Sequence, residues 1–307
     1  MFHYDKTGKY TSVDGITNGD HSNPKHHTEL FGEASVKFIE NYQTEKPFFL
    51  YVAFKSPHDP RIMPDTYKAM YDTGKISLPV NFLPKHPFNN GELVIRDELL
   101  ASTPRKPSEI KLHIRDYYAM MTHMDEQIGH VIQALKAKGL YENTIIVFAG
   151  DNGLALGQHG LMGKQNVYEH SIKVPLIVAG PGIKKNKINT NFAYTFDIFP
   201  TLCQLTGTTI PASVQGQALF DKNFKKRETT FYGYRNVQRA IRKGDWKLIE
   251  YIVKSQTILQ LFNLKKDPWE MNNLANAVKF QSKLDELQAL LAEQKKIYPD
   301  FIYKNPQ

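Results

Sequence analysis

Three short, continuous apolar runs limit the folds that this chain can adopt more than any other feature of its sequence. They cover residues 48–54, 143–150 and 174–180. Runs of this length without alternation are typical of strands buried on both faces of a parallel sheet. Apolar residues at three- and four-residue spacing over 117–135 predict an amphipathic helix between the first two runs. The sequence therefore predicts an α/β fold with a mixed, mostly parallel sheet flanked by helices.

The chain changes character after about residue 225. Short segments joined by turns follow, and they indicate an antiparallel sheet. These segments are 229–234, 239–242, 246–251 and 257–262. A helix from about residue 278 to 296 carries leucines on one face. We therefore expect a large domain over residues 1–225 and a small C-terminal α+β subdomain, an antiparallel sheet plus a helix, over residues 226–307.

Two other segments lack a lasting period. Residues 1–30 are expected to be an irregular lead-in, in which His26 and His27 are solvated. Residues 60–108 carry many prolines and are expected to form a long surface excursion. Such excursions are uncommon unless they shape a site, so we expect this one to influence substrate specificity.

Composition excludes several classes of protein. The single cysteine, Cys203, excludes an intramolecular disulfide framework and a cysteine-rich zinc site. No apolar run approaches the roughly 20 residues needed to cross a bilayer, so no transmembrane segment is expected. The net charge of +8 suits an anionic substrate. Nucleic acid is not expected as a partner, because the short basic clusters are not interleaved with aromatic residues.

Two oxygen-bearing side chains, Asp151 and Asn152, directly follow the second apolar run. In open α/β sheets, ligands bind at the carboxyl ends of strands. A carboxylate beside an amide carbonyl offers two hard oxygen donors, which suit Ca²⁺, with Mg²⁺ as the alternative, whereas a histidine would suit Zn²⁺ better. Asp-Asn-Gly is also a common turn sequence, so the residues alone leave both interpretations open.

Three further side chains suit an anionic substrate. The glycine-rich stretch 157–164 contains His159 and Lys164, and glycines allow a backbone to approach a ligand closely. An ammonium group suits an anionic oxygen, and an imidazole can donate a proton to a leaving group. His58 lies just past the run 48–54, as Asp151 lies past its own run. For each of these side chains, an ordinary surface loop is the alternative interpretation.

Several segments, taken together and in order, resemble the type I sulfatases of the alkaline-phosphatase superfamily. The most specific is FAGDNGLALGQHGLMGKQNVYEHSIKVPLIVAGPGI at 148–183, which is similar to the family signature. The others are KPFFLYVAFKSPHDP (46–60), the helix and strand at 117–153, TFDIFPTLCQLTG (195–207), AIRKGDWKLI (240–249) and LFNLKKDPWEMNNLA (261–275). The similarity covers nearly the whole chain.

The resemblance implies an alkaline-phosphatase-like fold and the hydrolysis of a sulfate ester, with a sulfated small molecule or glycan, in particular a carbohydrate, as the substrate. It identifies Asp151 and Asn152 as ligands of Ca²⁺ or Mg²⁺. Lys164 and His58 match residues that contact the sulfate group, and His159 matches a frequent residue of the pocket. The catalytic set is thus His58, Lys164 and His159. Family resemblance also implies a periplasmic or secreted protein.

The departures from the family pattern concern the nucleophile. Sulfatases use a formylglycine made from Cys or Ser in C/S-x-P/A-x-R, and Cys203 does not begin that motif. The nearest match, at 102–106, has lysine in place of the required arginine. The family's early Asp-Asp pair is absent as well. We therefore expect a partial sheet that lacks the family's N-terminal portion, a chain that does not turn over alone, and self-association through exposed sheet edges.

Two alternatives remain open. One is a phosphodiesterase or phosphatase relative in the same superfamily, against which Asn152 weighs because such zinc enzymes place histidine there. The other is a non-catalytic binder of sulfated glycans that retains Lys164 and His58.

Overall fold

The computed structural model describes residues 25–299, together with the backbone of residues 2–4 and 10–12. The strands β1 (Phe2–Tyr4) and β2 (Tyr10–Ser12) pair antiparallel, with His3 opposite Thr11. The prediction of an irregular lead-in is therefore wrong at these two strands.

Six α-helices and six further strands follow in the described residues. The helices are α1 (His27–Glu40), α2 (Asp65–Lys68), α3 (Pro107–Ala137), α4 (Glu169–Ile172), α5 (Ile198–Thr206) and α6 (Gln281–Ile297). The strands are β3 (Ile146–Ala149), β4 (Leu176–Ala179), β5 (Thr229–Tyr234), β6 (Gln238–Lys243), β7 (Trp246–Val253) and β8 (Gln256–Asn263). Strands β3 and β4 are hydrogen-bonded neighbours, and β5 to β8 form a four-stranded antiparallel sheet in sequence order.

The chain folds into two compact units. Unit 1 comprises residues 1–77, 107–146 and 180–183, and unit 2 comprises residues 78–106, 147–179 and 184–307. The predicted boundary at residue 225 stays a prediction. None of the helices in the described residues combines the length and the apolar character that crossing a bilayer requires.

In unit 1, α1 packs against the long helix α3. Gly32 permits the close approach, because a Cβ at this position would lie 2.6 Å from the Gln127 Oε1 atom. The predicted helix over 117–135 is confirmed and extends further towards its N-terminus. It is followed by Gly139, which has a φ of +73°.

The histidines at the start of α1 are not solvated as predicted. His27 is buried, and the His26 Nδ1 atom accepts a hydrogen bond from the Thr28 N–H at 3.2 Å, which caps the helix. Burial and the neighbouring imidazoles lower the pKa of His26 to about 4 and that of His27 to about 3. Two adjacent histidines at a helix start therefore belong to the packing of unit 1.

The prediction of a buried strand at 48–54 is wrong. This segment forms no strand with any described residue, and its Phe49 and Tyr51 side chains are 78% and 80% exposed. Strands β3 and β4 form where predicted but are shorter, and Ile177 of β4 is 60% exposed. An apolar run predicts burial only where a neighbouring element covers it, and the described residues supply no such neighbour here.

In unit 2, the sheet β5–β8 has two apolar faces, each covered by another part of the unit. One face packs against α6, through Leu248 and Leu261 on the sheet and Leu287 on the helix. The other face, with Ile249 and Phe262, packs against the segment 155–168. The antiparallel C-terminal sheet is therefore confirmed. Its face with Ile249 and Phe262 packs against the glycine-rich stretch.

Candidate functional site

The Asp151–Asn152 pair lies directly beyond β3 in unit 2, and both side chains are exposed. The Asp151 Oδ1 atom accepts a hydrogen bond from the Asn152 N–H at 2.7 Å, and Asn152 Nδ2 donates to the Gly153 carbonyl oxygen at 2.9 Å. The segment is thus both a turn and an exposed pair of oxygen-bearing groups, so the two interpretations of this sequence do not exclude each other.

Gly153 ties this turn to the short helix α4. Its N–H donates to the Ser171 carbonyl oxygen at 2.9 Å. A Cβ at Gly153 would lie 2.0 Å from the His170 carbonyl oxygen, so a larger residue would force the backbones apart. The position of Asp151 and Asn152 therefore depends on a close backbone contact that only glycine allows.

The glycine-rich stretch 157–164 is a tightly hydrogen-bonded loop. The Gly157 N–H donates to the Leu161 carbonyl oxygen at 2.8 Å. Gly160 has a φ of +76°, and a Cβ there would lie 2.4 Å from the His86 nitrogen. Side chains at this position are therefore excluded by conformation and by space.

Lys164 ends this loop and is half-buried. The residue before it, Gly163, accepts a hydrogen bond from the Ala155 N–H at 3.0 Å on its carbonyl oxygen. Ala155 lies a few residues beyond Asn152. The structure thus joins the Asp151–Asn152 segment and the Lys164 loop by backbone hydrogen bonds within unit 2.

His159 lies in the same loop but inside the protein. It is 6% exposed and has a φ of +52°, and its ring stacks on that of Tyr168 with the centroids 4.0 Å apart. Asn81 Nδ2 donates to the His159 Nε2 atom at 3.1 Å. Burial, with the neighbouring His86, lowers the pKa of His159 to about 4. The ring is therefore neutral at pH 7, and its role in catalysis stays a prediction.

His58 belongs to unit 1, whereas the other predicted site residues belong to unit 2. Its Nδ1 atom lies 2.7 Å from the Asp59 carbonyl oxygen and 3.4 Å from the Asp59 Oδ1 atom. The preceding Ser56 is buried, and its hydroxyl lies 2.8 Å from that of Thr28 on α1. The loop is thus tied to α1, with the partly exposed His58 side chain beyond it.

Two buried ionic groups of unit 2 were missed by sequence reasoning. Glu98 and Arg105 form an ion pair in the excursion 60–108, where no periodicity signals burial. Lys247 is fully buried, and its Nζ atom lies 2.7 Å from Glu270 and 3.1 Å from Glu169.

A buried histidine cluster also lies near these groups. His170 is half-buried, but its two ring nitrogens are shielded from solvent and have no hydrogen-bond partner among the described residues. Burial, with the neighbouring His159, lowers its pKa well below the usual value. Burial also lowers the pKa of His86. The sequence gives no signal for this cluster, because His86, His159 and His170 are not neighbours along the chain.

The residues present suit a hard divalent cation but supply only part of its coordination. Ca²⁺ takes six to eight oxygen ligands. Asp151 and Asn152 offer a carboxylate and an amide oxygen at an exposed turn, which is the right chemistry. The described residues contain no group of three or more His, Cys, Asp or Glu side chains arranged to hold a metal ion. We therefore expect weak binding by this chain.

Comparison with known proteins gives consistent matches. A family model described as Sulfatase matches residues 2–208, and one described as N-sulphoglucosamine sulphohydrolase, C-terminal, matches residues 157–297. The N-acetylglucosamine-6-O-sulfatase of Bacteroides thetaiotaomicron is 27% identical, with 95% of this chain and 66% of the relative covered. A sulfatase of Formosa agariphila is 31% identical, with 83% of this chain and 51% of the relative covered.

A solved structure is similar over the whole chain. It shows a protein in complex with its substrate D-glucosamine-2-N,6-O-disulfate, and it superposes with a TM-score of 0.76 at 22% identity, covering 100% of this chain and 76% of that chain. This similarity confirms the predicted α/β class. The chain spans about half to two thirds of the length of the curated relatives named above.

Proposed function

We propose that this chain, which belongs to the sulfatase family and with it to the alkaline-phosphatase superfamily, supplies the cation-holding and sulfate-contacting residues of a sulfuric ester hydrolase. The substrate class is a sulfated carbohydrate, since relatives named for such substrates match most of the chain. One observation carries the proposal: the Ala155–Gly163 hydrogen bond ties the Asp151–Asn152 turn to the loop that ends in Lys164.

Each residue has a defined task in this proposal. The Lys164 ammonium contacts the sulfuryl oxygens as a point charge and stabilises the negative charge that they carry. His58, which the family resemblance assigns to contact with sulfate, stays a prediction. Asp151 and Asn152 would hold the divalent cation, and sulfatases generally use such a metal, which acts as a Lewis acid, together with formylglycine. His159, which is buried and neutral, would hold the loop in place through its contacts with Tyr168 and Asn81.

The purified chain should not hydrolyse 4-nitrophenyl sulfate above the buffer background. The sequence holds no C/S-x-P/A-x-R motif, and Cys203 is buried within α5. Release of 4-nitrophenolate, followed by absorbance, checks this. The Lys164→Ala variant is the control: turnover by the wild-type chain that this variant abolishes would contradict the prediction.

Ca²⁺ should bind this chain weakly and through Asp151. With two ligands of the required set, we expect a dissociation constant no tighter than about 10⁻⁴–10⁻³ M, as in the weakest natural sites. Replacing Asp151 with asparagine should weaken binding about tenfold further. Calorimetric titration with CaCl₂ measures both values. Asp72→Asn is the matched control, because Asp72 is an exposed turn aspartate in unit 1. Equal losses in the two variants would count against Asp151.

A further inference from the structure

We propose that Glu98 is a positioning residue that fixes Lys164 relative to Asp151 and Asn152. The inference rests on the function proposed for Lys164. It gives the excursion 60–108 a role in the site, namely support of the loop that ends in Lys164. From the sequence alone, this excursion is connected with specificity only because long irregular segments usually shape a site.

The Glu98 carboxylate binds the backbone of the glycine-rich loop 157–164. It is 4% exposed, and it accepts hydrogen bonds from the Met162 N–H at 2.9 Å and the Gly163 N–H at 3.0 Å. Arg105 pairs with the same carboxylate and donates from Nε to the Gly160 carbonyl oxygen at 3.0 Å. One buried ion pair therefore binds both the donors and an acceptor of the loop that precedes Lys164.

Gly163 is the point where this support reaches the site. Its N–H goes to Glu98, and its carbonyl oxygen accepts from Ala155, which follows the cation-holding turn. A Cβ at Gly163 would lie 2.5 Å from the Gln165 Oε1 atom and 3.0 Å from Glu98 Oε1, so the two side chains close around the backbone. Moving Gly163 would shift the turn and Lys164 against each other.

The residues on either side of Gly163 are held in the same way. The Lys164 N–H donates to Gln165 Oε1 at 2.9 Å, and Gln165 Nε2 donates to Asp97 Oδ2 at 2.8 Å. Asp97 and Glu98 are neighbours in sequence, so one short segment holds the backbone N–H groups of residues 162–164, the first two directly and that of Lys164 through the Gln165 side chain. Charged contacts must be held within about 0.5 Å to be productive, and such supports are how proteins achieve this.

A buried ion pair is not needed for stability alone. Apolar residues of similar volume often give equal or greater stability than a buried pair. The hydrogen bonds from Met162 and Gly163, however, require an acceptor with two oxygens at this position. Positioning of the loop explains why the chain places a carboxylate there.

The test compares two buried glutamates of the same excursion. In the Glu98→Gln variant, the carboxylate that binds the loop is neutralised. In the Glu92→Gln control, a glutamate that is 2% exposed and paired with Arg235 at 2.7 Å is neutralised instead. The probe is N-acetylglucosamine 6-sulfate, titrated into the 307-residue chain by calorimetry, with Lys164→Ala setting the affinity that remains when the contact is lost.

We expect Glu98→Gln to weaken binding of the probe about tenfold, close to the loss in Lys164→Ala, and Glu92→Gln to leave it within about twofold of wild type. Amide hydrogen exchange at Met162 and Gly163 should become about tenfold faster in Glu98→Gln only. If Glu98→Gln does not fold, Glu98→Asp replaces it, because the shorter side chain keeps the charge but withdraws from the loop.

The outcomes separate the two proposals. Equal binding by Glu98→Gln and wild type, or equal loss in the two glutamine variants, overturns the role of Glu98. Equal binding by wild type and Lys164→Ala overturns the function proposed for Lys164. In that case amide exchange decides whether Glu98 fixes the loop: faster exchange in Glu98→Gln alone supports it, and unchanged exchange rejects it.

Discussion

Replacing Lys247 with methionine should lower the free energy of unfolding of unit 2 by about 3–5 kcal/mol at pH 7. Lys247 is 0% exposed, and its Nζ atom lies between the carboxylates of Glu270 and Glu169, at 2.7 and 3.1 Å. Methionine fills most of the same volume but carries no charge. The variant therefore leaves Glu270, which is 3% exposed, without its cationic partner.

The measurement is urea unfolding followed by tryptophan fluorescence. The chain has two tryptophans, Trp246 and Trp269, and both lie in unit 2, so the signal reports on that unit. The matched control is Lys243→Met, which removes an exposed lysine paired with Glu286 at 2.9 Å near the same hairpin. Exposed pairs contribute about 0–1 kcal/mol. Similar losses in the two lysine variants would contradict the prediction.

The loss caused by Lys247→Met should be smaller at pH 5 than at pH 7. Burial raises the pKa of Glu270, and the neighbouring Lys247 opposes that effect. Without the lysine, the pKa of Glu270 rises further, so the carboxyl group takes up a proton in the folded state and ceases to be a buried charge. A purely steric defect would be independent of pH, so this comparison identifies the cause.

Elements with a clear period were predictable from sequence. The three- and four-residue spacing over 117–135 predicted α3. In β7, successive side chains face opposite sides of the sheet, so Leu248 packs towards α6 and Ile249 towards the segment 155–168. Lys247 follows the same alternation onto the face of Ile249, yet a lysine on a strand is ordinarily read as solvated. Its burial depends on Glu169 and Glu270, which come from distant segments, and no local pattern carries that information.

The candidate site was predictable where it depends on strand ends. Asp151 lies two residues beyond the end of β3, as its place after an apolar run predicts, and its role as a metal ligand stays a prediction. Glu98 was not predictable, because its burial follows from contacts with the loop around Gly163 and not from its own surroundings in sequence. For the segment 48–54 the error was the reverse: burial was predicted from apolar residues, but no described element covers the segment and Phe49 is exposed.

Unit 2 should lose stability steeply as the pH falls from about 6.5 to about 4. Burial lowers the pKa values of His159, His170 and His86 in the folded state, to about 4 for His159. Above pH 6.5 these rings are neutral in both states, so their full contribution is present. As the pH falls, the unfolded chain takes up protons that the folded chain refuses, and stability is lost until the folded pKa is reached.

His159 alone accounts for about 3 kcal/mol of this loss, because a pKa difference of one unit corresponds to about 1.4 kcal/mol. His170 provides the sharper test, since its two ring nitrogens are buried and make no hydrogen bond with the described residues. Its replacement by phenylalanine removes the titrating group and leaves an aromatic ring. Urea unfolding at pH 8 measures the packing cost of that change, because the His170 imidazole is neutral at that pH in both the folded and the unfolded protein.

Below pH 6.5, the stability of wild type should fall more steeply than that of the His170→Phe variant. The difference between the two free energies of unfolding, referred to its value at pH 8, should therefore shift in favour of the variant as the pH approaches 4.5. Carboxylates that titrate in the same range affect both proteins equally, so the difference isolates His170. A difference that stays constant from pH 8 to pH 4.5 would show that His170 is not held neutral by its packing beside Tyr168 and His159.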